Sequence, residues 1–328
     1  MKSIKKHFFI HFFILFFILI FFSPSHAETI VANESQTDDY LAPHLYLASR
    51  LTSLSQPTVE PQNNIFNEKP NKNFRTGLLI SGFALGTTLY GALNWWEDSS
   101  SQFKVRHEGW FDADTPNGGA DKFGHAYSFY VSTRVMRRGF EWAGHSRSKA
   151  AQWAGLTSAA LSVGVEIMDG FTDEYGFSPE DIVMNLGGIG LGVFLEMYPK
   201  WDDLLDIRLH YWTSDDARKF DDYDPVADYS GQTYLLIFKA SGVSSLRQHQ
   251  WLRYFELAVG YGTRGYQPND GTEQPTERNL YYGLSLNLSQ LLNDLVFKNK
   301  QTRTQQVTEQ VLEYWQVPGT ALLVEHHL

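Results

Sequence analysis

"MYPKWDDLLDIRLHYW", residues 197–212, holds the point at which the apolar pattern changes period. Before Pro199, apolar and small residues recur every three to four positions. After it, Leu205, Ile207 and Leu209 alternate with Asp206, Arg208 and His210. A period near 3.6 marks helices and a period near 2 marks strands, and Pro199 cannot continue a helix interior. The expected fold class is therefore α+β: a small-residue-rich helical bundle of about four helices, membrane-embedded or not, then an antiparallel strand-rich region and a C-terminal helix.

Upstream, the helical candidates are "TGLLISGFALGTTLYGALNWW" (76–96) and residues 121–142, 148–168 and 179–198. Gly, Ala and Ser at spacings of three and four let such helices approach closely, and short connections favour a bundle. The first candidate is 21 residues without a charge between Arg75 and Glu97, which meets the length for a membrane span. Its small residues suit a packed bundle equally well. The basic run "RVMRRG" (134–139) is expected to be a solvated helix end, its cations opposing the carbonyl-end dipole.

Downstream, "LLDIRLHYW", "TYLLIFKAS", "RYFELAVGYGTRGY" and "RNLYYGLSLNLSQLL" read as four antiparallel strands. In the third, Phe255, Leu257, Val259 and Tyr261 share one face, and Glu256, Ala258, Gly260 and Gly262 the other. Outer-membrane barrels show the same apolar-out alternation. Four strands cannot close a barrel, so the sheet is expected to pack on the bundle. The tail "KQTRTQQVTEQVLEYWQV" reads as one closing amphipathic helix that ends at Pro318.

At the N-terminus, Lys2, Lys5 and Lys6 precede an apolar run from Phe8 to Phe22 and a "SHA" ending at Ala27. This is the pattern of a secretory signal peptide. The expected division is 1–27 signal peptide, 28–74 polar linker, 75–199 helical bundle and 200–328 strand-rich region with its C-terminal helix. Removing residues 1–27 takes away those three lysines and no acid, so the net charge moves from −10 to −13. Nucleic acid is thereby an unexpected partner. The sequence contains no cysteine, hence neither a disulfide framework nor a thiol to carry a lipid. Export without disulfides and an aromatic content of 15% fit the envelope of a Gram-negative-type bacterium, periplasmic or outer-membrane-associated. The expected partner is a membrane lipid or another envelope protein.

Polar residues collect at predicted helix ends. Asp121 and His125 are four apart, with Lys122 beside them; Glu166 and Asp169 are three apart; Asp181 and Asn185 are four apart. These spacings place each pair on one helix face. Taken singly, they read as caps: Ser178, Pro179 and Asp181 occupy the cap, first and third positions of a helix start. Glu166 is different, because it closes sixteen uncharged residues, and a buried carboxylate needs a partner. Antiparallel packing brings its end of the bundle beside His125 and Asp181. An imidazole, carboxylates and an amide could form a satisfied network, bind a small ligand or a divalent metal (His125, Glu166 and Asp181 being the candidate ligands), or run acid/base chemistry.

On "DKFGHAYSFY" and "EIMDGFTDEYGFSPEDIVMNLGG" the chain resembles the YfiM-like predicted periplasmic lipoproteins over residues 118–198, and more distantly VanZ-like proteins. The matching positions are Asp121, Lys122, His125, Glu166, Asp181, Asn185 and Gly188. The resemblance implies an envelope location and a helical core, and supplies no substrate. Departures are the missing lipobox cysteine, Asp169 and Gly170 where VanZ-like proteins carry Gln, and the appended strand-rich region. The expected role is a non-catalytic, membrane-associated envelope protein whose polar cluster is structural or binds a small ligand. The alternative is a metal-assisted hydrolase or transferase acting on an envelope lipid or glycan headgroup.

Overall fold

The turn from helix to strand is made by a single helical turn, Pro199–Asp202, which follows the last long helix of the bundle directly. The computed structural model describes residues 71–328 apart from 97–98, 174, 216, 220–227, 267–274 and 301. The expected signal peptide, and the expected linker up to residue 70, lie outside the described residues.

Four long helices come first: α1 (Lys72–Asn94), α2 (Ala120–Trp142), α3 (Arg147–Asp169) and α4 (Pro179–Met197). Gly119, with φ 83°, turns the chain into α2 in a left-handed conformation that favours glycine. Ser178 Oγ accepts from the Asp181 N–H at 3.2 Å, and Pro179 fills the first position of α4. Helices α2, α3 and α4 pack pairwise on one another, while α1 lies against α2 and α3. The α2–α4 crossing is close: a Cβ on Gly188 would stand 1.9 Å from the Ala126 carbonyl oxygen. Phe83, Met136, Phe140, Ala150 and Ala154 form the core on the α1 side. Helix α1 is long and apolar enough to cross a membrane, and it leaves Leu78, Leu85, Leu89 and Leu93 exposed.

The fold class is α+β, and the sheet exceeds the expectation by two strands. It comprises β1 (Leu205–Tyr211), β2 (Gln232–Lys239), β3 (Phe255–Arg264), β4 (Glu277–Leu286) and, after helix α5 (Arg303–Tyr314), β5 (Trp315–Gln316) and β6 (Ala321–His327). The order is β5-β1-β2-β3-β4-β6, with β1 and β5 parallel. Helix α5 therefore ends at Tyr314 instead of reaching Pro318, and it does not close the chain. Two residues are too few to show a period, and the unbroken "ALLV" of β6 hides one.

The sheet curls round on itself. Gln316 of β5 accepts from Arg208 Nη1 of β1 and from Ser285 Oγ of β4, both at 3.3 Å, although three strands separate β5 from β4 in the sheet order. Inside the curl, Leu235, Ile237, Ala258 and Leu323 pack together. Beside them Arg208 pairs with Glu256 at 2.7 Å and Asp206 at 2.6 Å, and Lys239 reaches Asp206 at 2.6 Å. Outside, Leu205 and Ile207 of β1 rest on Tyr130 and Leu195 of the bundle, and Phe123 meets the rings of Tyr234 and Tyr261.

The run "RVMRRG" is not a solvated end. Arg134 is 1% exposed and bonds Glu196 at 3.0 Å, Asp202 at 2.7 Å and Glu313 at 2.5 Å. Glu196 also holds Arg137 at 2.9 Å and Arg147 at 3.1 Å. The end of α4, the turn after it and α5 all lay carboxylates over this stretch, so pairing replaces hydration.

Candidate functional site

The first turn of α2, the last turn of α3 and the first two turns of α4 meet at one end of the bundle, as antiparallel packing requires. Lys122, 1% exposed, lies at the centre. Its ammonium donates to Glu108 Oε2 at 2.5 Å and Asp181 Oδ1 at 2.8 Å, with Asp121 Oδ2 at 2.9 Å. Burial alone would lower its pKa, but Asp121, Asp181 and Glu108 together outweigh that and hold the ammonium above its ordinary range.

His125 stands one turn on. Its Nδ1 is 3.1 Å from Asn185 Oδ1, and its Nε2 is 3.7 Å from Asp181 Oδ2. Because Asn185 Oδ1 only accepts, a proton belongs on Nδ1, and Nε2 faces Asp181. Glu166, 1% exposed, accepts the Ser178 backbone N–H on Oε2 at 3.2 Å. In a capping box the acid of the helix's own first turn would take that N–H. Here Glu166 takes it from the preceding helix, freeing Asp181 to face Lys122 and His125.

Two atoms in the cluster stay without a hydrogen-bond partner: Glu166 Oε1 and Asn185 Nδ2. Burial first, and then the nearby Asp181, push the Glu166 carboxyl up to about 8. Burial likewise pushes Asp169 up to about 6, opposed by the bond it accepts from Trp96 Nε1 at 2.7 Å.

One ligand atom each from His125, Glu166 and Asp181 lies within 4.8 Å of the others. Glu108, Asp121 and Asp181 form a second such group, but the Lys122 ammonium already stands among their oxygens. Of these two groups, found among the described residues, the first holds an oxygen with no hydrogen-bond partner, Glu166 Oε1. Of the residues singled out in the sequence, His125, Glu166, Asp181 and Asn185 come together, with Asp121 and Lys122 joined to them through Asp181. Asp169 is engaged by Trp96 and stands outside the triad. Glu108 was missed, since it lies in the segment before α2 and no helical spacing marks it.

Residues 107–197 match a family described as "Predicted periplasmic lipoprotein (DUF2279)". The match spans the whole cluster and stops before the sheet. No curated protein and no solved structure matches the chain.

Proposed function

We propose that this chain is an exported cell-envelope protein whose helical bundle binds one first-row divalent cation, zinc or manganese, through His125 Nε2, Glu166 Oε1 and Asp181 Oδ2. The similarity to a predicted periplasmic lipoprotein family and the signal-like head of the sequence support the location. The binding role is supported above all by Glu166, whose Oε1 is buried and unpartnered and which offers a ligand atom within 4.8 Å of one each from His125 and Asp181. A finished structural network would pair that oxygen, because a buried polar atom left unpaired costs about 1–3 kcal/mol. Mixed nitrogen and carboxylate donors suit zinc or manganese better than the all-oxygen shells of calcium or magnesium. Lys122 fixes Asp181, and Asn185 fixes the imidazole tautomer, as supporting groups around metal ligands do.

The His125 side chain is 31% exposed, so a cation held by three protein ligands would keep a position open to solvent. That favours, as a second reading, a metal-assisted hydrolase or transferase acting on an envelope lipid or glycan headgroup.

The test is calorimetric titration of chelator-treated protein with zinc and with manganese. One equivalent is expected to bind, with loss of binding in both Glu166→Gln and Glu166→Leu, while in Glu166→Gln, whose amide oxygen still accepts the Ser178 N–H, the melting temperature of the cation-free protein barely moves. Absence of binding by the wild type to either ion, with both variants melting lower, would return the cluster to a structural role.

A further inference from the structure

The outer face of the curled sheet is covered by the bundle over β1 and, through Phe123 and Tyr127, at the Tyr234 and Tyr261 end of β2 and β3. Beyond it, two registered rows cross four strands: Leu236, Val259, Tyr282 and Val324, and beside them Phe238, Leu257, Leu284 and Leu322. All eight are exposed, from 37% for Leu236 to 82% for Leu322. Phe255 and Leu286, paired with each other, extend the patch at one end, and Leu280 extends it at the other. The inward positions of the sheet hold Glu256 on β3 and Ser285 on β4, with Arg208 on β1 and Gln316 on β5, all buried. A soluble barrel keeps its charges outside; here they are inside and the apolar side chains outside, the arrangement of lipid-facing strands. A patch of this extent on a water-soluble surface marks an interaction site.

We propose that this face, on β2, β3, β4 and β6, lies against the acyl chains of a lipid leaflet. Three features select lipid. The face is the convex side of a curled sheet, so a second copy could touch it only along a narrow line, whereas acyl chains conform to curvature. No charged side chain interrupts the two rows. Where Phe255 and Leu286 end the patch, the adjoining turns Leu252–Tyr254 and Leu288–Phe297 are tied together by Asn287 N–H to Tyr254 O at 2.8 Å. There Trp251, Leu295 and Val296 are exposed, followed by exposed Lys298 and Lys300, which have no ion-pair partner among the described residues. An aromatic ring, two aliphatic side chains and two ammonium groups at the border complement the interface of an anionic leaflet. From Leu280 to Leu286 the apolar stretch is about 20 Å long at the strand rise. That is short of the roughly 30 Å hydrocarbon core, so the face sits in one leaflet and does not span.

Because the sequence contains no cysteine, single nitroxide labels can be placed on the full chain. Leu257→Cys and Tyr282→Cys probe the face, and Gln306→Cys on the exposed side of α5 is the control. With phosphatidylcholine vesicles containing phosphatidylglycerol, the ratio of oxygen to nickel-chelate accessibility should rise several-fold at 257 and 282 and stay unchanged at 306. The Lys298→Glu, Lys300→Glu double variant, whose sites are solvent-exposed, should float less with these vesicles and no differently with pure phosphatidylcholine. Unchanged nickel access at both face positions overturns the proposal. So does protection from both reagents without lipid together with a doubled mass, which would make a second copy the occupant.

Discussion

Glu166 Oε2 accepts the backbone N–H of Ser178 across 3.2 Å, so the carboxyl that ends α3 also anchors the start of α4. The same carboxyl offers a ligand atom within 4.8 Å of one each from His125 and Asp181. One side chain thus couples the order of the bundle end to the charge of the site.

The first expected consequence is a stability maximum on the acid side of neutrality. Glu166 and Asp169 stand at about 8 and about 6 in the folded protein, above their ordinary values. The unfolded chain gives up these protons first, so the cation-free protein loses stability as pH rises from about 4 to about 8, by on the order of a few kcal/mol, and levels off above. Glu196 acts in the opposite sense: despite burial, Arg134, Arg137 and Arg147 hold its carboxyl below the ordinary 4.5, so its contribution disappears as pH falls below that. Urea midpoints in chelator should peak near pH 5. Zinc or manganese should flatten the alkaline limb and release protons on binding below pH 8.

Lys122→Met should be costly. It removes the ammonium shared by Glu108, Asp121 and Asp181 and leaves buried carboxylates without a cation, a change of about 3–5 kcal/mol. Because protonation of those carboxylates relieves the loss, the variant's urea midpoint should recover toward the wild type at low pH. A loss independent of pH would mean that packing alone is affected.

Gly188→Ala tests the α2–α4 crossing. Its Cβ would meet the Ala126 carbonyl at 1.9 Å, which neither backbone can accommodate in place, and overpacking of this kind costs about 1–3 kcal/mol or more. His125 and Asn185 sit on these two helices, so cation affinity should fall along with the melting temperature. Unaltered affinity would show that the triad tolerates a wider crossing.

Glu196→Ala should destabilise more than Gln306→Ala, an exposed comparison on α5. The first leaves Arg134, which is 1% exposed, facing fewer carboxylates beside Arg137 and Arg147, at about 3–5 kcal/mol. The second is expected within about 0.5 kcal/mol of the wild type. Equal denaturant midpoints would count against the buried network.

Much of this was legible in the sequence for physical reasons that can be named. The period change at Pro199 divides helix from strand because side-chain direction follows the backbone repeat. Glu166 stood out as the acid that ends an uncharged run, and the structure places His125 and Asp181 beside it. Glu196 also follows an apolar and glycine-rich run, so the same signal was available, but "RVMRRG" looked complete as a helix end and its partners lie 49 to 62 residues away. Glu108 gave no signal, because loop residues have no period. The curl of the sheet was hidden too, since it depends on Gln316 meeting Arg208 across 108 residues, a pairing that no local pattern encodes.

That pairing also sets a timetable. The curl cannot close on β1 until Gln316, 108 positions further along, has docked against Arg208. Until β5 and β6 are in place, Arg208 and Glu256 have no cover on that side and the outer strands have exposed edges, the condition in which unfinished sheets aggregate. The half-formed sheet is therefore the state most in need of a chaperone, although most of its strands have already paired.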